Sequence, residues 1–325
     1  MKVFFGIDTS SYTTSMCLLG EDGNIKADER KILQVASGSR GLRQSEALFQ
    51  HIQNIPSITS KLTLPLEGHE LVSIGVSEKP RPQEDSYMPV FLPGSCLAEA
   101  LGHLLAIPCH KLSHQESHIW SGIASAKGPG APDFLAIHLS GGTTELTAVR
   151  RDLITNRLEI ELLGGTLDLH AGQFVDRLGV KMGLPFPAGP SLEKLAHLST
   201  ESLPVPTFHR DGMVSFSGPL TALEKMMANV RPEVAARACF TSIARTLVKW
   251  IRWAEKKGAS RELLVVGGVA ANQIIRQALR QGLPNWKLYF AAPVYSVDNA
   301  YGAAFFSALA SGFLSQGISQ GGGSL

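Results

Sequence analysis

A repeated element limits what this chain can become more than any other feature. Strand-like Lys2 to Ile7 runs into the polar bend DTSSYTTS and returns as MCLLG. The same layout recurs in DFLAIHLSGGTTELTAVR, where residues 134 to 139 run into Ser140, Gly141, Gly142, Thr143 and Thr144 and return as Glu145 to Val149. β-branched and aromatic residues on both arms of each bend predict a hairpin. Two such hairpins predict an α/β chain of two lobes built on one plan. Between them, helical periodicity covers 44 to 62 and 95 to 106, and VSIGVS at 72 to 77 is a short buried strand. EKPRPQEDSYMPVFLPG carries four prolines and no period, so it is a loop. Residues 168 to 255 are mostly helical, interrupted by GLPFPAGPS; a strand, Leu263 to Val266, then meets a Gly-Gly turn and a helix. A loop and a small-residue helix, PVYSVDNAYGAAFFSALASGFL, precede SQGISQGGGSL, which reads as a disordered tail.

The 325 residues are 44% hydrophobic, enough to fill two packed cores. A net charge of +2 is too mild to mark a nucleic-acid surface, since phosphate binding needs clustered charge. Cys17, Cys96, Cys109 and Cys239 are far apart in apolar or helical contexts, which predicts buried free thiols and a reducing, cytoplasmic setting. No apolar run reaches the ~18 residues of a membrane span, and the N-terminus turns polar too soon for a signal peptide. No membrane partner is expected.

A phosphate needs backbone N–H groups that can approach it closely, which glycine permits, and Ser and Thr hydroxyls add donors. DTSSYTT, LSGGTT and GGVAAN could together grip one nucleotide between two lobes. Each turn alone is equally an ordinary tight hairpin. Their co-occurrence in duplicated hairpins, followed by strand-Gly-Gly-helix, resembles the actin-like ATPase and sugar-kinase superfamily, a ribonuclease H-like fold with a cleft between its lobes. The expected first lobe is 1–112 plus 300–325; the second is 113–299, with a helical insertion at about 168–255.

HQESH, residues 114 to 118, places two histidines one helical turn apart. Ser113 followed by Glu116 is a capping-box pattern, so a helix should begin at His114. A zinc protease requires HExxH, but Gln115 occupies the position of the general base. An isolated HxxxH is also compatible with two solvated or packed histidines. His138 at the end of a strand and Asp298 before the last helix would lie at the cleft if the superfamily resemblance holds. Histidines with a carboxylate suit one divalent metal, iron or zinc.

Over nearly its whole length, and in family order, the chain resembles the tRNA threonylcarbamoyladenosine transferases, formerly called glycoproteases. The matching stretches are GIDTS, HQESH, LSGGTTEL, GGTLDLHAGQFVDRLGVKMGLPFPAGPSLEKLA, VSFSGPLTA, LLVVGGVAANQIIRQAL and VDNAYGAA. The resemblance implies metal ligation by His114, His118 and Asp298, with His138 where some members carry a tyrosine. It implies adenosine-nucleotide contacts (ATP, AMP or threonylcarbamoyl-adenylate) at Ser140, Gly141, Gly142, Thr143, Asp176, Gly189 and Asn272. Asp8 and Ser10 of the opening are the candidate catalytic residues. The implied reaction moves threonylcarbamoyl from its adenylate to an adenosine in a tRNA anticodon loop, and a homologous actin-like subunit or a second copy is an expected partner.

The chain departs from the family at four places. Asp8 to Thr14 lacks the acidic pair of the usual Glu-Thr-Ser-Cys-Asp-Glu-Thr opening, with Tyr12 and Thr13 among its replacements. KPRPQEDSYMPVFLPGS stands where the family has a Gly-Pro-Gly segment, Leu220 where it has lysine, and Gln173 where it has glutamate. These changes leave a second reading open, a nucleotide- and metal-binding paralogue with another carbamoyl acceptor or a subunit role.

Overall fold

The computed structural model describes residues 1–10, 12–35, 42–201 and 203–314, with the side chains of 63–66 set aside. The expected disordered tail lies outside these residues. In chain order the elements are β1 (Lys2–Ser10), β2 (Thr13–Gly20), β3 (Ile25–Ile32), α1 (Gln44–Leu66), β4 (Glu70–Lys79), α2 (Leu92–Leu105), β5 (Cys109–Ser113) and α3 (His114–Ala126). They continue with β6 (Asp133–Leu139), β7 (Thr144–Arg151), β8 (Leu158–Gly165), α4 (Ala171–Lys181), α5 (Gly189–Ala196), β9 (Phe208–Arg210), β10 (Met213–Ser215), α6 (Ser217–Met226) and α7 (Pro232–Lys256). The last are β11 (Glu262–Val266), α8 (Gln273–Gly282), β12 (Lys287–Phe290) and α9 (Tyr301–Ala310).

The chain forms two compact units, one of residues 1–130, 151–159 and 297–325, the other of 131–150 and 160–296. The sheet order is β3-β2-β1-β4-β5 in the first and β8-β7-β6-β11-β12 in the second, the same plan twice. In each, the first hairpin is antiparallel (β1 with β2, β6 with β7) and the next two strands add in parallel (β4 then β5, β11 then β12). The expected duplication is therefore present. Its boundaries differ from those at 112/113 and 299/300: residues 113–130 and 297–299 group with the first unit, because α3 packs along α9.

In the first unit, Phe5, Ile7, Met16, Leu18, Ile74 and Val76 form one sheet face, covered by Ile58 and Leu62 of α1 and Ala98 of α2. On the other face α9 lies so close that a Cβ on Gly6 would stand 2.2 Å from the Ala300 carbonyl oxygen. This is why the last helix is written in small residues. Gly302 has the same function toward α3, where a Cβ would meet the Ser117 carbonyl oxygen at 1.8 Å. Trp120 of α3 stacks on Phe306 of α9, 6.0 Å between ring centres, closing the contact.

The second unit is filled by α7, whose Phe240, Ile243, Leu247 and Trp250 pack with Leu135 and Ile137 of β6, Leu263 and Val265 of β11, and Phe174 and Leu178 of α4. Truncating a buried tryptophan such as Trp250 to alanine costs about 3–5 kcal/mol. Within the segment expected to be helical, β9 and β10 form a small hairpin. Asp211 (φ 50°) and Gly212 (φ 82°) make its turn, the two left-handed residues that such hairpins require.

Two further expectations are corrected. The bend DTSSYTTS is shorter than its composition suggests, since Asp8 to Ser10 extend β1 and Thr13 to Ser15 begin β2, paired Asp8 to Ser15 and Thr9 to Thr14. All four cysteines are free, as expected, but Cys96 faces solvent on α2 and Cys109 is half-buried. Among the described residues no helix is long and apolar enough to cross a membrane.

Candidate active site

The first unit brings three metal-competent side chains together. Ser113 caps α3: its hydroxyl accepts from Glu116 N, while the Glu116 carboxylate accepts from Ser113 N at 2.7 Å. The capping box thus starts the helix at His114 and accounts for Glu116 without catalysis. One turn on, His118 faces the same way as His114, and their Nε2 atoms are 3.0 Å apart. Asp298 Oδ1 lies 3.3 Å from His118 Nε2 and 3.5 Å from His114 Nε2. Its loop is held by Asn299, whose side-chain oxygen accepts from Ser121 Oγ of α3 at 2.7 Å and from Tyr301 N at 3.0 Å. The Asn299 amide donates to Val297 O at 2.7 Å, so this one residue ties the Asp298 loop to the helix bearing both histidines.

The donor set fits a metal ion. Bonds of about 2.0–2.1 Å in a tetrahedral arrangement put ligand atoms about 3.3 Å apart, and the three observed separations bracket that value. Two imidazole nitrogens this close repel unless a positive centre, a proton or a metal, lies between them. Two nitrogens and one carboxylate oxygen suit iron or zinc better than magnesium or calcium, which prefer oxygen. Electrostatics agree. Burial works against a charged His114, but Asp8 and Asp298 outweigh it and raise its pKa to about 10. Burial likewise pushes the Asp298 carboxyl up, yet the two histidines hold it well below the usual carboxylate range.

Asp8 is completely buried at the end of β1, with Oδ2 2.8 Å from His114 Nδ1 and Oδ1 accepting from Ser10 N at 2.9 Å. Ser10 is 1% exposed and its hydroxyl has no hydrogen-bond partner. Thr14 bonds His51 Nδ1 at 2.8 Å and receives Asn54 Nδ2 at 3.1 Å, and Thr9 accepts from Gly94 N. The side chains of Asp8, Thr9 and Thr14 are therefore used inside the unit, whereas the buried Ser10 hydroxyl is not. His138 belongs to the second unit, at the end of β6 beside Gly267, and is not one of the three grouped donors.

The second unit strings together the residues expected to hold a nucleotide. Ser140 Oγ accepts from Gly142 N and Thr143 N, which shapes the turn, while Gly141 and Gly142 stay exposed with nothing where a Cβ would stand. Gly172 N donates to Ser140 O, setting the start of α4 against the turn. Farther along α4, Asp176 Oδ1 accepts from Ala188 N at 2.8 Å, next to Gly189 at the start of α5. Glu193 of α5 accepts from Gln273 N at 2.7 Å, beside Asn272. Asn272 caps α8 through Ile275 N, and its buried Nδ2 has no partner. It is one of several buried polar side-chain atoms that the described residues leave without a partner. Asp176 also lines a cavity of about 640 Å³ with Asp168, Lys181 and Glu224, a wall of mixed charge.

Sequence reasoning missed Glu193 and Asn299. An acidic residue one turn after Gly189, and an asparagine directly following Asp298, were the signals available.

Comparison with known proteins bears on the fold and on the family. Solved structures show the fold alone. The activator of 2-hydroxyisocaproyl-CoA dehydratase from Clostridium difficile, with bound ADPNP, is 15% identical at a TM-score of 0.54, covering 95% of this chain and 96% of that one. A ROK family glucokinase from Streptomyces griseus, in complex with glucose and AMPPNP, is 13% identical at 0.52, covering 94% and 99%. The fold is thus that of the actin-like ATPases and sugar kinases. The tRNA N6-adenosine threonylcarbamoyltransferase of Legionella pneumophila (strain Corby) is 34% identical over 229 residues, 67% of each chain. That of Dichelobacter nodosus (strain VCS1703A) is 34% identical over 219 residues, 64% of this chain and 62% of its own. The family model TsaD, tRNA N6-adenosine threonylcarbamoyltransferase, matches residues 86–305, a stretch that carries every residue of both sites except Asp8 and Ser10. With more than half of its length matched, this chain belongs to the tRNA N6-adenosine threonylcarbamoyltransferase family.

Proposed function

We propose that this chain transfers a threonylcarbamoyl group from its adenylate to the exocyclic amine of an adenosine in a tRNA anticodon loop. One divalent ion would be held by His114, His118 and Asp298, and the adenosine nucleotide by Ser140, Gly141, Gly142, Thr143, Asp176, Gly189 and Asn272. The observation that carries the reading is the triangle of donor atoms at 3.0, 3.3 and 3.5 Å within the part of the chain that matches the family. A bound ion of this kind supplies Lewis acidity toward carbonyl and carboxylate oxygens. The protein's own share is orientation. Asn299 holds the third ligand in register with α3, and the glycine turn leaves its backbone open to an anionic ligand.

The test supplies metal-loaded protein with threonylcarbamoyl-adenylate and unmodified tRNA, then measures modified adenosine by mass spectrometry of the digested nucleosides. Product that disappears in His118→Ala supports the reading; no product from metal-loaded protein sinks it. One observation favours a second reading, a paralogue with another carbamoyl acceptor. The family match begins at residue 86, and the bend Asp8 to Thr14 lacks the family's acidic pair. In the same assay, release of AMP from the adenylate without tRNA modification would select it.

A further inference from the structure

We propose that Asp8 is a positioning residue of the metal site: its carboxylate holds the proton on His114 Nδ1, so that Nε2 presents its lone pair to the ion. The inference rests on the metal reading above and assigns Asp8 a role that needs no contact with substrate. Asp8 has none to offer, being 0% exposed on the central strand of its sheet.

The geometry leaves little freedom. An ionised carboxylate only accepts hydrogen bonds, so at 2.8 Å His114 Nδ1 must be the donor. A neutral imidazole has one ring proton; with it on Nδ1, Nε2 is bare. An incoming ion displaces any second proton from this nitrogen, which faces His118 Nε2 at 3.0 Å and Asp298 at 3.5 Å. The Asp8 carboxylate cannot turn away, because Oδ1 is occupied by Ser10 N at 2.9 Å and the backbone of Asp8 is paired with Ser15. A rigid strand thereby fixes the orientation of a ligand on a helix 106 residues later. Outer carboxylates that orient a metal-binding histidine typically contribute a factor of about 10–100 in affinity.

Asp8→Asn isolates this role. The single carboxamide oxygen must choose between Ser10 N and His114 Nδ1, and an NH2 turned toward Nδ1 favours the opposite tautomer, with the proton on Nε2. The probe is Co²⁺, titrated into the purified full chain against a competing chelator. The wild type should take up one equivalent, and Asp8→Asn should bind about 10–100-fold more weakly. Placing Asp8→Asn in a His114→Ala background should change the residual affinity no further, since the effect runs through His114; a general structural effect would still appear there. As a check that survives misfolding of the variant, long-range ¹H–¹⁵N spectra of the Zn²⁺-loaded wild type should show His114 protonated at Nδ1 and ligated through Nε2.

Wild-type affinity in Asp8→Asn, a further loss in the double variant, or ligation through Nδ1 would each overturn the inference while leaving the metal site standing. No Co²⁺ uptake by the wild type would overturn the metal reading itself, and this inference with it.

Discussion

Gly302→Ala tests how the site is assembled. An alanine methyl at this position would stand 1.8 Å from the Ser117 carbonyl oxygen and 2.9 Å from Ser121 N, both backbone atoms of α3 that no rotamer change can move. A comfortable C···O approach is about 3.3 Å, so α9 and α3 must part by roughly 1.5 Å. Overpacking of this kind costs about 1–3 kcal/mol, and the better helix propensity of alanine returns at most about 1. For a cooperative unit of this size the net loss lowers the melting temperature by on the order of 5 °C. The larger effect should fall on metal binding. Asp298 enters α9 through the turn that contains Gly302, whereas His114 and His118 are on α3, so the same separation moves one ligand away from the other two. Sites of this kind tolerate about 0.5 Å, so Co²⁺ affinity should fall at least about tenfold. Calorimetric melting of the metal-free protein and a chelator competition measure the two effects separately. A variant that melts within about 1 °C of wild type and keeps its Co²⁺ affinity would refute the account of α9 as the element that sets ligand spacing.

Three more outcomes follow from particular side chains. Burial, partly offset by Asp8 and Ser10, lowers His51 from its ordinary value of 6.5 to about 4, so between these pH values the unfolded chain binds the extra proton. Stability contributed by neutral His51 is complete above about pH 6.5 and lost as pH falls toward 4, by roughly 3 kcal/mol; urea midpoints of wild type and His51→Gln at pH 7 and 4.5 should show the variant losing less. Asn299→Ala strands Ser121 Oγ and Tyr301 N without their acceptor, which should cost about 1–3 kcal/mol in urea unfolding and weaken Co²⁺ binding. Asn272→Asp keeps the α8 cap but removes the orphaned donor, so adenosine nucleotides should stop raising the melting temperature although metal-free, nucleotide-free stability is retained. An unchanged nucleotide response would remove Asn272 from the nucleotide site.

What could be read from the chain beforehand follows from where the apolar signal is strong. The central hairpins, β4 and β11 are buried strands with β-branched runs, and each was legible. The missed strands sit at or next to sheet edges and carry charge: IKADERKI in β3, CHKLS in β5, LEIELLGG in β8, KLYF in β12. An edge strand buries less, and charge there discourages pairing with other chains, so alternation is weak where the edge must be protected. The β9–β10 hairpin did leave a signal, the Asp211-Gly212 pair, overridden by the helical pattern on both sides. HQESH was legible because a capping box and an i,i+4 spacing are local. The partnership of Asp8 with His114 was not, because it joins a strand to a helix and depends on a side-chain angle that sequence spacing does not encode.

The two hairpin bends occupy equivalent places in equivalent sheets, yet they differ in what they expose. The second is left as bare backbone, its two glycines open to whatever arrives. In the first, four residues face inward: Asp8, Thr9, Ser10 and Thr14 all lie at 1% exposure or less, bound to one another, to α1, to α2 or to His114. The same plan, used twice, gives one open turn and one whose Asp8 braces His114. Exposed Tyr12 of that bend can therefore be changed without touching His114, whereas Asp8, four residues earlier, cannot.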